Sequence, residues 1–152
     1  MRKKLIISII FCFLIFATFI IESKAFTLTN FNATLNKTTY LPGEDIIINF
    51  YFGDNLGEYE FSIAYDKNLM DFIETDGGEV GDTSGDIITI SYEDLSHGTN
   101  PKNGFYVKFK AKENIITTNP TNFLINGTNF KTADFAENID PFQEPIKEEF
   151  VI

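Results

Sequence analysis

Carboxylates are the main carriers of chemistry in this chain. The densest group is Asp76-Gly77-Gly78-Glu79-Val80-Gly81-Asp82-Thr83-Ser84-Gly85-Asp86, an acidic, glycine-rich run that could offer several oxygens to a hard cation such as calcium. Its spacing matches neither the D-x-[DN]-x-[DN]-G-x5-E loop nor the G-G-x-G-x-D repeat. Calcium therefore has no motif behind it, no cofactor is expected, and the run reads as a solvated turn. His97 is the only histidine and sits in a polar loop beside Gly98. The only cysteine, Cys12, lies in the N-terminal segment, and no G-x-S-x-G, H-E-x-x-H or S-x-x-K pattern occurs. Carboxylate pairs of the glycosidase kind arise by chance on so acidic a surface, so the chain reads as a non-enzyme. Sugar platforms stack rings on exposed aromatics. Here there is no Trp, and Tyr51 and Tyr106 are the two aromatics that alternation places outward. Asn32-Ala33-Thr34, Asn36-Lys37-Thr38 and Asn126-Gly127-Thr128 are formal glycosylation sequons.

The elements that must position these groups read as short strands. In Glu58 to Tyr65 the residues Tyr59, Phe61, Ile63 and Tyr65 share one face, while Glu58, Glu60, Ser62 and Ala64 share the other. The pattern is a half-buried strand with a wet side. Asp66 interrupts it, and its carboxylate is expected to cap one turn over Lys67, Asn68 and Leu69, with Leu69 or Met70 dropping back onto the core. Asp71 to Thr75 resumes an extended run that Gly77-Gly78 ends.

Upstream, Phe26 to Leu35 alternates loosely as a first, edge strand. Leu41-Pro42-Gly43-Glu44 predicts a type II turn. Asp45 to Phe52 is a strand with Ile46, Ile48, Phe50 and Phe52 on one face, and Gly53 to Gly57 reads as a loop. Downstream, Ile87 to Tyr92 is a strand. Gly104 to Lys112 points Phe105, Val107, Phe109 and Ala111 inward and Tyr106, Lys108, Lys110 and Lys112 outward. That lysine row marks an exposed or edge face, where like charges deter edge pairing. Thr121 to Phe130 is a strand kinked at Gly127, with Phe135 packing beneath it, and Glu149 to Ile152 forms a short final strand. No window carries a helical period beyond a turn or two. Short strands between turn signals predict an all-β sandwich.

Residues 1–25 stand apart. Arg2, Lys3 and Lys4 precede an apolar run from Leu5 to Ile21, and Ser23-Lys24-Ala25 supplies small residues at a cleavage site. Two readings stay open: a cleaved signal peptide, or an uncleaved anchor that would be the chain's only membrane contact. In both, residues 26–152 are exported as one domain, secreted or tethered at the cell surface. The whole chain carries a net charge of −10. Past Ala25 only 8 of the 12 basic residues remain against 21 of the 22 acidic ones, a surface that repels nucleic acid and anionic lipid. With no cysteine there, stability must come from a core, and the Phe and Tyr content provides one.

The order of pieces resembles the cohesin domain, the β-sandwich receptor of cellulosome scaffoldins, and the related sandwich of some carbohydrate-binding modules. A P-G turn leads into a strand, then F-S-I-A-Y-D-K-N-L-M-D-F (Phe61 to Phe72), D-I-I-T-I-S-Y-E-D (Asp86 to Asp94), K-N-G-F-Y-V-K-F-K-A-K (Lys102 to Lys112) and T-N-F-L-I-N-G-T-N-F (Thr121 to Phe130). The resemblance spans Leu41 to Phe130. It implies a sandwich of about nine strands with jelly-roll, immunoglobulin-like architecture, whose function is protein–protein recognition of a dockerin-like partner on one sheet face. By position the contacts would be Glu58 and Glu60 on the strand entering Y-D, then Glu93, and Gly98 or its neighbours. Glu58 and Glu60 are larger than the Asn/Asp pair typical of that strand. Two other readings stand beside this one: an extracellular carbohydrate-binding sandwich, and a structural surface domain with no compact ligand.

Overall fold

The computed structural model describes residues 31–152, apart from His97, Ile116, Thr118, Asp140, Pro141 and Gln143. The N-terminal segment, the start of the first expected strand and the histidine thus lie outside the described residues. Those residues form nine strands and no helix: β1 (Asn32–Leu35), β2 (Asp45–Ala64), β3 (Met70–Thr75), β4 (Glu79–Val80), β5 (Ile87–Glu93), β6 (Lys102–Ala111), β7 (Thr121–Thr132), β8 (Asn138–Ile139) and β9 (Ile146–Phe150). All described pairings between these strands are antiparallel. The all-β sandwich expected from the alternation is the architecture observed.

β2 organises the molecule. Its first half pairs with β1 on one side and β6 on the other, and β6 continues to β3. Its second half pairs with β5 and β7, which carry β4, β8 and β9 at their far edges. The sequence suggests two strands and a loop, but the ladder runs on through Gly53 to Gly57. The register slips between Tyr51 and Leu56 as the strand passes from one layer to the other. Gly53 takes φ +79° there, a backbone that a side chain at this bend would strain.

The inward alternation holds along every long strand. Ile46, Ile48, Phe50, Phe52, Tyr59, Phe61, Ile63, Ile88, Ile90, Phe105, Val107, Phe109, Phe123 and Ile125 are all buried. The layers meet through aromatic rings: Phe61 lies 5.3 Å from Phe50 and 5.4 Å from Phe105, and Phe109 lies 4.8 Å from Phe123. Phe61 has no exposed surface, and burying such a side chain stabilises the fold by about 1.5–3 kcal/mol. Tyr59 sends its hydroxyl to the Gly77 carbonyl at 2.6 Å, which satisfies the one polar atom this ring brings inside.

The local turn chemistry follows the sequence. Glu44 N–H donates to Leu41 O at 3.0 Å with Gly43 at φ +81°, as a type II turn requires. Asp66 Oδ1 accepts Asn68 N–H at 2.8 Å, Leu69 N–H returns to Asp66 O at 3.0 Å, and Met70 is fully buried.

Three expectations need correction. β6 is no edge, because β2 and β3 flank it. Two of the outward lysines meet acids across the strands: Lys108 lies 3.0 Å from Asp45 and 3.7 Å from Glu74, and Lys112, just past the end of β6, lies 3.7 Å from Asp71. β7 runs straight through Gly127, which is small because the Phe130 and Phe61 rings cover it. A Cβ there would lie 2.3 Å from Phe130 Cζ. The irregularity falls at Asn129, at φ +56°, where the register against Glu58 and Glu60 shifts. The last strand begins three residues before Glu149, at Ile146.

Candidate functional site

The outer face of the β7–β2–β5–β4 layer is built from the wet parity of each strand, and the register fixes it row by row. Lys131, Glu58 and Glu93 form the first row. Thr128, Glu60, Ser91 and Glu79 form the second. Asn126, Ser62 and Thr89 make the third, and Leu124, Ala64 and Ile87 the fourth.

The acidic rows open into a shallow groove of about 460 Å³ lined by Glu58, Glu60, Glu79, Ser91, Glu93, Leu95 and Asn129 among others. Three of the four residues expected from sequence therefore meet in one place. Glu58 and Glu93 stand directly opposite each other. Glu58 forms a salt bridge with Lys131, and Glu60 accepts from Thr128 Oγ1 at 3.3 Å. Four carboxylates around a concave surface, with one lysine at the rim, give a strongly negative local field. Leu95, 78 % exposed at the lip, adds an apolar contact point.

Gly98 is not in the groove. Its N–H donates to Asp94 Oδ2 at 2.9 Å, and its α-carbon packs toward the Ala133 carbonyl. Asp94 is the residue that sequence reasoning missed. It is the only buried charged side chain among the described residues. Its oxygens also accept Ser96 N–H at 3.0 Å and Asn100 N–H at 2.8 Å, while its own N–H donates to Gly57 O at 2.7 Å. One carboxylate thus gathers the N–H groups of Ser96, Gly98 and Asn100 and, through its own backbone, ties them to the bend of β2. Small and polar residues at every second position after an aspartate (Ser96, Gly98, Asn100) were the signal in the sequence.

Around this loop Tyr92 donates to the Asn100 carbonyl, and Lys102 Nζ sits 5.3 Å from the centre of the Tyr92 ring. Burial first, and then the nearby Asp94 charge, push the Tyr92 phenol above its ordinary value, so it stays a neutral donor. In the acidic glycine run, Glu79–Val80 forms the edge strand β4. Asp82 turns back on Ser84, accepting from its hydroxyl at 2.7 Å and its N–H at 2.8 Å. Those bonds hold its carboxyl below the ordinary value. Among the described residues no three acidic, histidine or cysteine side chains are gathered to hold a metal ion.

Two further concavities are shallow and lie at the β7–β8 side. On the opposite layer Tyr51 is 53 % exposed and Tyr106 is half-buried. They sit diagonally across the β2–β6 ladder, Tyr51 facing Gly104 and Tyr106 facing Asn49.

No protein-family model matches the chain, and no curated protein does. Solved structures do. The sixth cohesin of scaffoldin B from Acetivibrio cellulolyticus, in complex with a mutant Cel5 dockerin, aligns with a TM-score of 0.56 at 15 % identity, covering 74 % of this chain and 96 % of that one. A type I cohesin in a cohesin–dockerin complex of Clostridium thermocellum aligns at 0.56 with 14 % identity, covering 80 % and 93 %. The reeler domain of human F-spondin aligns at 0.50 with 11 % identity, covering 84 % and 95 %. At these identities the likeness is one of architecture, and the fold of this chain is the cohesin-like β-sandwich.

Proposed function

We propose that this chain is an exported, non-catalytic recognition module that binds a dockerin-type protein through the outer face of its β7–β2–β5–β4 layer. The observation that carries the reading is the convergence of Glu58, Glu60 and Glu93 on one groove of a fold whose solved relatives include cohesins bound to dockerins. Glu60 and Glu93 are the contacts available to a partner's cations, Glu58 is shared with Lys131, and Gly98 contributes through the loop it closes rather than by touching the partner. The basic N-terminus and the apolar run after it support export and placement outside the cell.

A second reading, carbohydrate binding, is favoured by one observation: Tyr51 and Tyr106 lie on neighbouring strands of the opposite layer, where rings could take a sugar face. Calorimetric titration with a panel of dockerin modules, run beside a glycan array, separates the two. Heat with a dockerin and a blank array supports the first reading. A bound glycan abolished by Tyr51→Ala, with no heat from any dockerin, replaces it with the second.

A further inference from the structure

Two backbone outliers bracket one side chain. Among the described residues, Asn129 at φ +56° and Phe135 at φ +60° are the non-glycine residues in the left-handed region. Asn tolerates that region, whereas a bulky ring stays there only when its surroundings hold it. Between the two lies Lys131, the one cation in the first two rows of the acidic face.

Asn129 sets the direction of that lysine. From Thr128, opposite Glu60, to Lys131, opposite Glu58, β7 takes three steps while β2 takes two. The extra residue reverses the parity of the strand. Phe123 and Ile125 point into the core, and unbroken alternation would turn Lys131 inward after them. With the insertion Phe130 is buried instead, and Lys131 turns outward to pair with Glu58.

The β7–β8 turn holds the side chain from its other flank. Phe135 N–H donates to Thr132 O at 2.9 Å, and Glu137 N–H donates to Thr132 Oγ1 at 3.1 Å. The turn lays the Phe135 ring on Gly57, where a Cβ would come within 2.6 Å of Phe135 Cε2. Lys131 Nζ sits 5.6 Å from the centre of that ring, so the ammonium is fixed between a ring and a carboxylate.

Selectivity between partners comes from repulsion as well as attraction. A basic side chain approaching Glu58 meets the Lys131 ammonium. Glu60 accepts only from the neutral Thr128 hydroxyl, and Glu93 has no ion pair among the described residues. We infer that Lys131 is a specificity-determining residue, turned outward by the bulge at Asn129 and held by the Phe135 ring, that closes Glu58 to a partner's cation and directs a basic side chain to the Glu60–Glu93 diagonal. This rests on the reading of the groove as a protein-recognition surface and adds the device that ranks its acids.

The test follows the side-chain carboxyl signals of isotope-labelled glutamates by NMR while an acetylated, amidated trilysine peptide is added at low salt. In the wild type the signals of Glu60 and Glu93 are expected to move and that of Glu58 to stay nearly still. In Lys131→Met all three are expected to move, with affinity higher by about threefold or more. Phe135→Gly keeps every charge and suits the left-handed backbone, so it separates position from charge, and Glu58 is expected to respond there too. Lys131→Arg, which restores the cation, is expected to keep Glu58 silent. Three signals that all move or all stay still in the wild type, or a silent Glu58 in Lys131→Met, overturn the assignment. A wild-type pattern in Phe135→Gly overturns it as well, since the charge would then act without its holder. The underlying reading is tested apart from it. A dockerin that binds the wild type and is indifferent to Glu60→Lys/Glu93→Lys removes that reading whatever the peptide shows, whereas a dockerin lost on that reversal upholds it even if Glu58 responds like its neighbours.

Discussion

Glu58 and Glu93 face each other directly across the β2–β5 ladder, and Glu58 alone of the two has a cation, Lys131, on its other side. Like charges directly opposite in a sheet destabilise it, so the site carries a local cost that Lys131 offsets for one partner only. Glu93, exposed and without an ion pair among the described residues, remains to be matched from outside.

Replacing Lys131 by Met uncovers the pair. The variant is expected to lose about 0.5–1.5 kcal/mol in urea unfolding at low salt. Added salt screens the repulsion, so the deficit narrows as ionic strength rises. A loss that stays constant with salt would assign the role of Lys131 to packing.

Asp94 holds the lip of the groove. Asp94→Ala leaves the N–H groups of Ser96, Gly98 and Asn100 without the acceptor they share in the fold, a change worth about 2–3 kcal/mol. Amide exchange at residues 95–100 should quicken far more than exchange in β6. Unchanged protection of that loop would show that Asp94 does not organise it.

Gly104 pairs with Tyr51 in the β2–β6 ladder, and a Cβ there would sit 2.3 Å from the Phe50 carbonyl oxygen. Backbone cannot step aside as a flexible side chain can, so Gly104→Ala is expected to cost about 1–3 kcal/mol. Gly81→Ala meets nothing closer than 3.5 Å and serves as the control. Equal melting temperatures for the two variants would contradict the register described.

Glu148 on β9 shares the inward parity of Ile146 and Phe150, opposite buried Phe123. Burial raises its pKa above the ordinary value. The fold therefore disfavours its ionised form, a penalty present at neutral pH and relieved as pH falls through the folded pKa toward the unfolded one. Glu148→Gln should be more stable than the wild type at pH 7 and indistinguishable from it below the ordinary glutamate range. A stability gain that persists in acid would rule out ionisation as the cause.

Period-two alternation made most of the fold legible, because each long strand buries one parity: Phe105, Val107, Phe109 and Ala111 in β6 are the plainest case. The wet parity gave Glu58 and Glu60 the same way. Alternation is silent about neighbours, so it could not tell a central strand from an edge. The lysines of β6 looked like edge protection until Asp45, Asp71 and Glu74 appeared beside them. Nor could it show that Gly53 to Gly57 continues a ladder, since the slip at Leu56 depends on partners distant in sequence. Asp94 was hidden for a similar reason. A buried carboxylate in a polar loop differs from a solvated one only by the amides that fold around it.

The most direct measurement of the central claim is calorimetric titration of a bound dockerin module against wild-type protein and against Glu60→Lys/Glu93→Lys. Glu93 is exposed and Glu60 half-buried, and neither belongs to the core, so the variant should keep its melting temperature within the small range usual for surface changes. The account predicts that affinity falls by about a hundredfold or more at low salt, through loss of attraction and gain of repulsion. Equal affinity for the two proteins would contradict it and move the binding surface elsewhere on the sandwich.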